Sequence, residues 1–77
     1  MTLSIYSPEK TIFVGEVQSI IVPGIKGKFE VLNNHAAIIS TLGEGEITYK
    51  TPDTQVLHIK GGFINVAHNK ANICIEE

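Results

Sequence analysis

Seventy-seven residues make one domain, and a chain of this size buries only about 60% of the surface its unfolded form exposes, so it holds one modest core. The net charge is −2 and arginine is absent, which removes the electrostatic footprint of a phosphate-backbone binder and sets nucleic acid aside. No apolar run approaches the roughly 20 residues that span a bilayer, and residues 1 to 20 lack the basic start and apolar middle of a signal peptide.

Hydrophobic residues make up 43% of the chain and mean hydropathy is +0.15, with isoleucine and valine far outnumbering leucine. That bias favours strands. Cys74 is the only cysteine, so no intramolecular disulfide is possible, and stability must come from the core or a partner. A reducing, cytoplasmic setting fits this pattern.

In chain order, Leu3 and Ile5 alternate with Thr2, Ser4 and Tyr6 as a half-buried strand that stops at the Ser7-Pro8-Glu9-Lys10 turn. Thr11 to Val22 is the longest β-rich run, and its alternation changes phase near Gly15-Glu16, which predicts a bulge or bend at Gly15. Pro23-Gly24 reads as the centre of a turn, because proline fixes φ and glycine tolerates a positive one. Lys28 to Leu32 alternates again, with Lys28 and Glu30 on one face and Phe29 and Val31 on the other. Asn33-Asn34 enters the left-handed region at low cost and suits a tight reversal, with His35 at its rim.

Ala36 to Leu42 is short and apolar, and the Gly43-Glu44-Gly45 turn leads into the alternating strand Glu46 to Lys50. After the proline turn Thr51-Pro52-Asp53-Thr54, Gln55 to Lys60 places Leu57 and Ile59 on one face. Phe63 to His68 does the same with Ile64 and Val66. Asn69-Lys70 predicts a two-residue hairpin into the final strand Ala71 to Ile75, where Asn72 and Cys74 face away from Ala71, Ile73 and Ile75. Nothing here reads as helix. About ten short strands separated by turns predict an all-β, antiparallel, two-sheet β-sandwich filling residues 1–77, with Phe13, Phe29 and Phe63 in its core.

Catalytic chemistry finds little support. His35, His58 and His68 share no local metal-ligand spacing, and the His-x-His with a following glutamate that a cupin-like site needs is missing. Cys74 has no base near it in sequence and no nucleophile signature around it. Glu9, Glu44, Glu46, Asp53, Glu76 and Glu77 fall at turns or the terminus, where charge keeps loops wet. Gly61-Gly62 precedes a strand, whereas phosphate cradles of the P-loop type precede a helix. No catalytic residue, metal or cofactor is expected.

The strings LSIYSPEKTIFVGEVQSIIVPGIKGKFEVL, NNHAAIISTL and GGFINVAHNKANICI together resemble the amino-terminal domain of the epsilon subunit of F-type ATP synthase over essentially the whole chain. The resemblance implies a ten-stranded β-sandwich without catalytic residues, at the foot of the central rotor stalk. There the family's domain binds the gamma subunit and rests on the polar loops of the c ring, coupling proton flow to ATP synthesis on the cytoplasmic face of the bacterial membrane. It implies neither membrane insertion nor a functional homo-oligomer.

Two departures from the family pattern stand out. The family's loop commonly carries an acid where Lys28 stands, glycine where Glu30 stands and Pro-Gly where Asn33-Asn34 stands, so Glu30 is expected to take over the acidic contact two residues on. Lys28, Glu30, Asn33, Asn34 and His35 are the expected partner contacts, toward the c ring or gamma. Family members also usually continue into a pair of helices that can inhibit ATP hydrolysis, and a natively short chain is expected to couple rotation without that inhibition. For gamma, one of Ile20 and Ile21, or of Ile38 and Ile39, is expected to stand exposed as part of an apolar patch. A free-standing ligand-binding sandwich is the main rival, and the five aromatic residues give it little with which to line a pocket. A small metal-dependent enzyme lacks its ligand motif.

Overall fold

The computed structural model describes residues 1–76. It contains nine strands and no helix: β1 (Thr2–Tyr6), β2 (Thr11–Glu16), β3 (Ser19–Gly24), β4 (Gly27–Leu32), β5 (Ile38–Leu42), β6 (Gly45–Lys50), β7 (Thr54–Ile59), β8 (Gly61–Ala67) and β9 (Lys70–Glu76). They form two layers. One has the order β2-β1-β9-β8-β5, and the other β7-β6-β3-β4, the two joined at the single pair Gly24↔Leu42. All pairings are antiparallel but one, since β1 runs parallel to β9 from Thr2↔Lys70 to Tyr6↔Cys74.

Alternation decides what the layers bury. Leu3, Ile5, Ile64, Val66, Ala71 and Ile73 point inward from the larger sheet, and Ile20, Val22, Val31, Ile47 and Ile59 from the smaller, each almost wholly removed from water. Burying side chains of this size contributes about 1.5–3 kcal/mol apiece before the cost of ordering them. Phe13 of β2 and Tyr49 of β6 meet across the sandwich with ring centroids 4.7 Å apart and a tilted interplanar angle of 44°, within the range in which aromatic pairs attract.

Several local expectations are corrected. Gly15 is not a bulge: it pairs in register with Leu3, and the irregularity in that ladder lies between Ile5 and Tyr6. The chain leaves β2 at Val17-Gln18, where Val17 N donates to Met1 O and Gln18 N donates to Lys50 O. Pro23 and Gly24 end β3, paired with Lys28 and Gly27, so the hairpin turn is Ile25-Lys26. The reason is crowding and donor loss. Pro23 has no N–H for a ladder, its carbonyl accepts from Gly43 N, and a Cβ on Gly24 would stand 2.5 Å from Gly27 O. Pro-Gly therefore lets β5 and β6 part into different layers.

The last hairpin turns on His68-Asn69, one residue earlier than expected, with both residues at positive φ (53° and 59°), as a tight two-residue hairpin requires. Phe13 and Phe29 pack against the core, but Phe63 is 49% exposed. It follows the pattern of its own strand, since Ile64 and Val66 face inward and period two sends Phe63 outward.

Candidate functional site

The predicted contact residues lie along β4 and the turn that follows it. β4 pairs only with β3, so it is an edge strand. Lys28 sits opposite Pro23 and Glu30 opposite Ile21, both exposed on the outer face with Leu32, while Val31 is buried beneath. At about 3.3 Å per residue, Lys28 and Asn33 are separated by roughly 16 Å. The strand thus divides the set, with Lys28 toward the β3–β4 tip and Asn33, Asn34 and His35 at the opposite end.

That opposite end is a hydrogen-bonded platform. His35 N donates to Leu32 O at 3.2 Å, closing a turn in which Asn34 adopts φ 62°. The Met1 ammonium donates to Asn33 Oδ1 at 2.8 Å and to Glu16 Oε1 at 3.3 Å, while Asn34 N donates to Asn69 Oδ1 at 2.8 Å. Thr2 Oγ1 also donates to Glu16, and with the ammonium it holds the Glu16 carboxyl below its ordinary pKa. His35 is half-buried, with Nδ1 2.7 Å from Ala36 O, so the tautomer protonated at Nδ1 donates to that carbonyl. Asn33 and Asn34 therefore carry structural tasks besides any contact. His68 and Asn69 join them at this end, which the sequence reading missed; only the pairing of two distant turns brings them there.

The β3–β4 tip differs in character. Ile25 is 67% exposed at the turn and Ile39 of β5 is 76% exposed, and Lys26 and Lys28 stand beside them around a recess of about 420 Å³. The outer face of the larger sheet is a third surface. In-register pairing lays Tyr6, Cys74 and Phe63 in one row, and Val14, Ser4, Asn72, Asn65 and Ile39 in the next. Charge appears only at its ends, Glu16 and Lys70 at one and Glu76 at the other. Exposed apolar groups gathered on one sheet face mark an interaction surface. Ile39 is the outward member of its pair, and Ile20 is buried while Ile21 is half-buried.

Among the described residues no group of three or more His, Cys, Asp or Glu side chains could hold a metal ion. His58 Nε2 lies 3.5 Å from Glu44 Oε2, both well exposed, an arrangement worth little in water. No buried side-chain polar atom among these residues lacks a partner. The geometry offers surfaces for docking.

Residues 1–77 match the family model described as the β-sandwich domain of the ATP synthase delta/epsilon chain. The chain belongs to this family. It is 40% identical over 74 residues to the ATP synthase epsilon chain of Leptospira interrogans, covering 95% of this chain and 58% of that one. It is 40% identical over 78 residues to that of Chlorobaculum tepidum, covering 99% of this chain and 89% of the relative. The chain thus spans 58% of the length of the Leptospira protein and nearly all of the Chlorobaculum one. In fold it is similar to a chain of the Tetrahymena thermophila mitochondrial ATP synthase central stalk and c ring, with TM-score 0.86 at 14% identity over 99% of this chain and 63% of that one.

Proposed function

We propose that this chain is a non-catalytic coupling subunit of a rotary, proton-translocating ATP synthase, linking the gamma subunit to the c ring at the cytoplasmic face of a bacterial membrane. Membership of the delta/epsilon β-sandwich family carries the reading. The uncharged outer face of the larger sheet, with Tyr6, Val14, Phe63 and Ile39, supports it as the gamma-docking surface. A face that stays uncharged over five strands, with Tyr6, Val14, Phe63 and Ile39 exposed on it, suits a stable interface, whose core is depleted of charge. Lys28, Glu30, Asn33, Asn34 and His35 are the proposed ring-facing set, carried on an edge strand and a braced turn that a rotating partner can push against without deforming them.

The test is size-exclusion chromatography with light scattering, using gamma from the same organism. A stable one-to-one complex is expected with the parent chain and loss of that complex with the double variant Phe63→Ser/Ile39→Ser. Both side chains are largely exposed, so the variant keeps its fold by circular dichroism. Folded parent protein that fails to associate with folded gamma refutes the assignment of this face.

A further inference from the structure

We infer that the Met1 nitrogen is a processing site: the formyl group carried by an initiating methionine has to be hydrolysed from it before the chain folds, because the free ammonium locks the Asn33–His35 turn to the larger sheet. The inference goes beyond the reading above and holds whatever that turn contacts.

Met1 is 6% exposed and its side chain is wholly covered. A charge held that far from water is costly unless its donors are used. The nitrogen donates to Glu16 Oε1 at 3.3 Å and to Asn33 Oδ1 at 2.8 Å, and the Met1 carbonyl accepts from Val17 N at 2.9 Å. Glu16 closes β2 and Asn33 follows β4, so one nitrogen ties together an element of each layer. Thr2 Oγ1 donates to the other Glu16 oxygen, Oε2, which fixes the carboxylate against the ammonium. The same two groups, Thr2 first and the ammonium next, lower the Glu16 pKa.

A formyl group undoes this lock through its chemistry, not its size. Met1, Gln18, Thr51 and Pro52 line a recess of about 330 Å³, so one added carbon and one oxygen find space. What changes is the nitrogen. An ammonium is a cation with several N–H groups to donate, whereas a formamide nitrogen is neutral with a single N–H. The acylated chain therefore keeps a bond to Asn33 or to Glu16 but not to both, and the carboxylate loses its counter-charge. Hydrolysis restores the lock: water adds to the formyl carbon, the C–N bond breaks, formate leaves, and both protons of the water finish on the nitrogen. Since Met1 is enclosed once β1 has paired, a hydrolase reaches the formyl group only on the open chain.

The experiment compares the full chain made by cell-free translation with the deformylating hydrolase active or inhibited, the state of the terminus being read by intact mass. Retained formyl is expected to lower the urea midpoint by about 0.5 M or more. Amide exchange at Val17 and His35 should speed up about tenfold, beyond any change along the β5–β8 ladder. In a Glu16→Gln/Asn33→Ala background the formyl group should add nothing further, because the contacts it breaks are already gone. Asn33→Asp, which keeps the acceptor, should respond as the parent does.

Unchanged midpoint and exchange on formylation overturn the inference. So does an equal response in the Glu16→Gln/Asn33→Ala background, which places the effect elsewhere. Intact mass of the chain purified from its own organism gives an independent check. A first residue of Met1 with a free amine is expected, while a formylated terminus, a chain starting at Thr2, or residues ahead of Met1 refute the processing step. None of these outcomes bears on the family assignment or on the docking of gamma.

Discussion

Gly62→Ala is the substitution on which the fold's geometry makes its sharpest demand. Gly62 has φ +149°, and a Cβ there would lie 2.2 Å from Cys74 O and 3.0 Å from Ile75 Cα. Holding an alanine in that backbone region costs about 1–3 kcal/mol. Relieving the clash means displacing the backbone of β9, which, by comparison with overpacked cores, adds on the order of 1–3 kcal/mol. A domain of this size has a total stability of about 4–11 kcal/mol, so the variant forfeits a large share of it. Gly27→Ala is the internal control, because Gly27 is also at positive φ (136°) but a Cβ there meets nothing within 4 Å. Urea unfolding followed by far-ultraviolet circular dichroism is the assay. With a slope near 1 kcal/mol per molar for a small domain, the midpoint of Gly62→Ala should fall by about 2 M or more, and further than that of Gly27→Ala. A fall below about 0.5 M, or equal falls in the two variants, would refute the claim that β9 leaves no room at this position.

Three other outcomes are expected. Ile5→Ala, at a site with no exposure on the inner face of β1, should destabilise by about 2–5 kcal/mol in the same assay. Because the Glu16 carboxyl is held below its ordinary value by Thr2 and the Met1 ammonium, its ionised form contributes stability that is fully present above the unfolded carboxylate pKa. That contribution is lost as pH falls through the lower folded pKa, so the Glu16→Gln variant should show a shallower loss of melting temperature between pH 5 and pH 2 (on the order of the acid range expected for such groups) than the parent. Asn34 occupies φ 62°, so Asn34→Gly should be nearly neutral while Asn34→Val costs about 1–2 kcal/mol, read from thermal melts.

Period-two alternation carried most of the fold, because each strand has a wet and a dry side and the two sides read directly from residues such as Leu3/Ser4 or Ile73/Cys74. The Asn33-Asn34 reversal was legible for the same local reason, and Asn34 takes the positive φ that its side chain tolerates. Pro23-Gly24 misled because turn propensity is a local quantity, whereas the close approach of Gly24 to Gly27 and the parting of β5 from β6 are set by tertiary packing. Phe63 misled in the opposite way: its strand's pattern pointed it outward, and only the habit of counting phenylalanine as core argued otherwise. The parallel match of β1 with β9 could not be read at all, since no residue pattern encodes which of several apolar strands become neighbours. The proposed contact residues on β4 and its turn could be named as a list from sequence, but their division between a cationic tip and a hydrogen-bonded platform depends on strand length and on Asn69, both visible only once the chain is folded.

The parallel pairing of β1 and β9 has a consequence for how the protein is made. β9 lies in the middle of the larger sheet, between β1 and β8, yet it is the last of the nine strands to leave the ribosome. Until it arrives, β1 and β8 have no bridge between them, and Leu3, Ile5, Ile64 and Val66 have an incomplete cover. Closing a loop of nearly the whole chain before that cover is gained makes productive folding slow and late. The nascent polypeptide therefore passes through a stage of open strand edges in which a holding chaperone, or prompt docking onto an assembly partner, decides between maturation and aggregation. A premature stop that removes only the final seven residues of strand would leave a gap at the centre of the sheet, where the loss of an edge strand of equal length would merely narrow it.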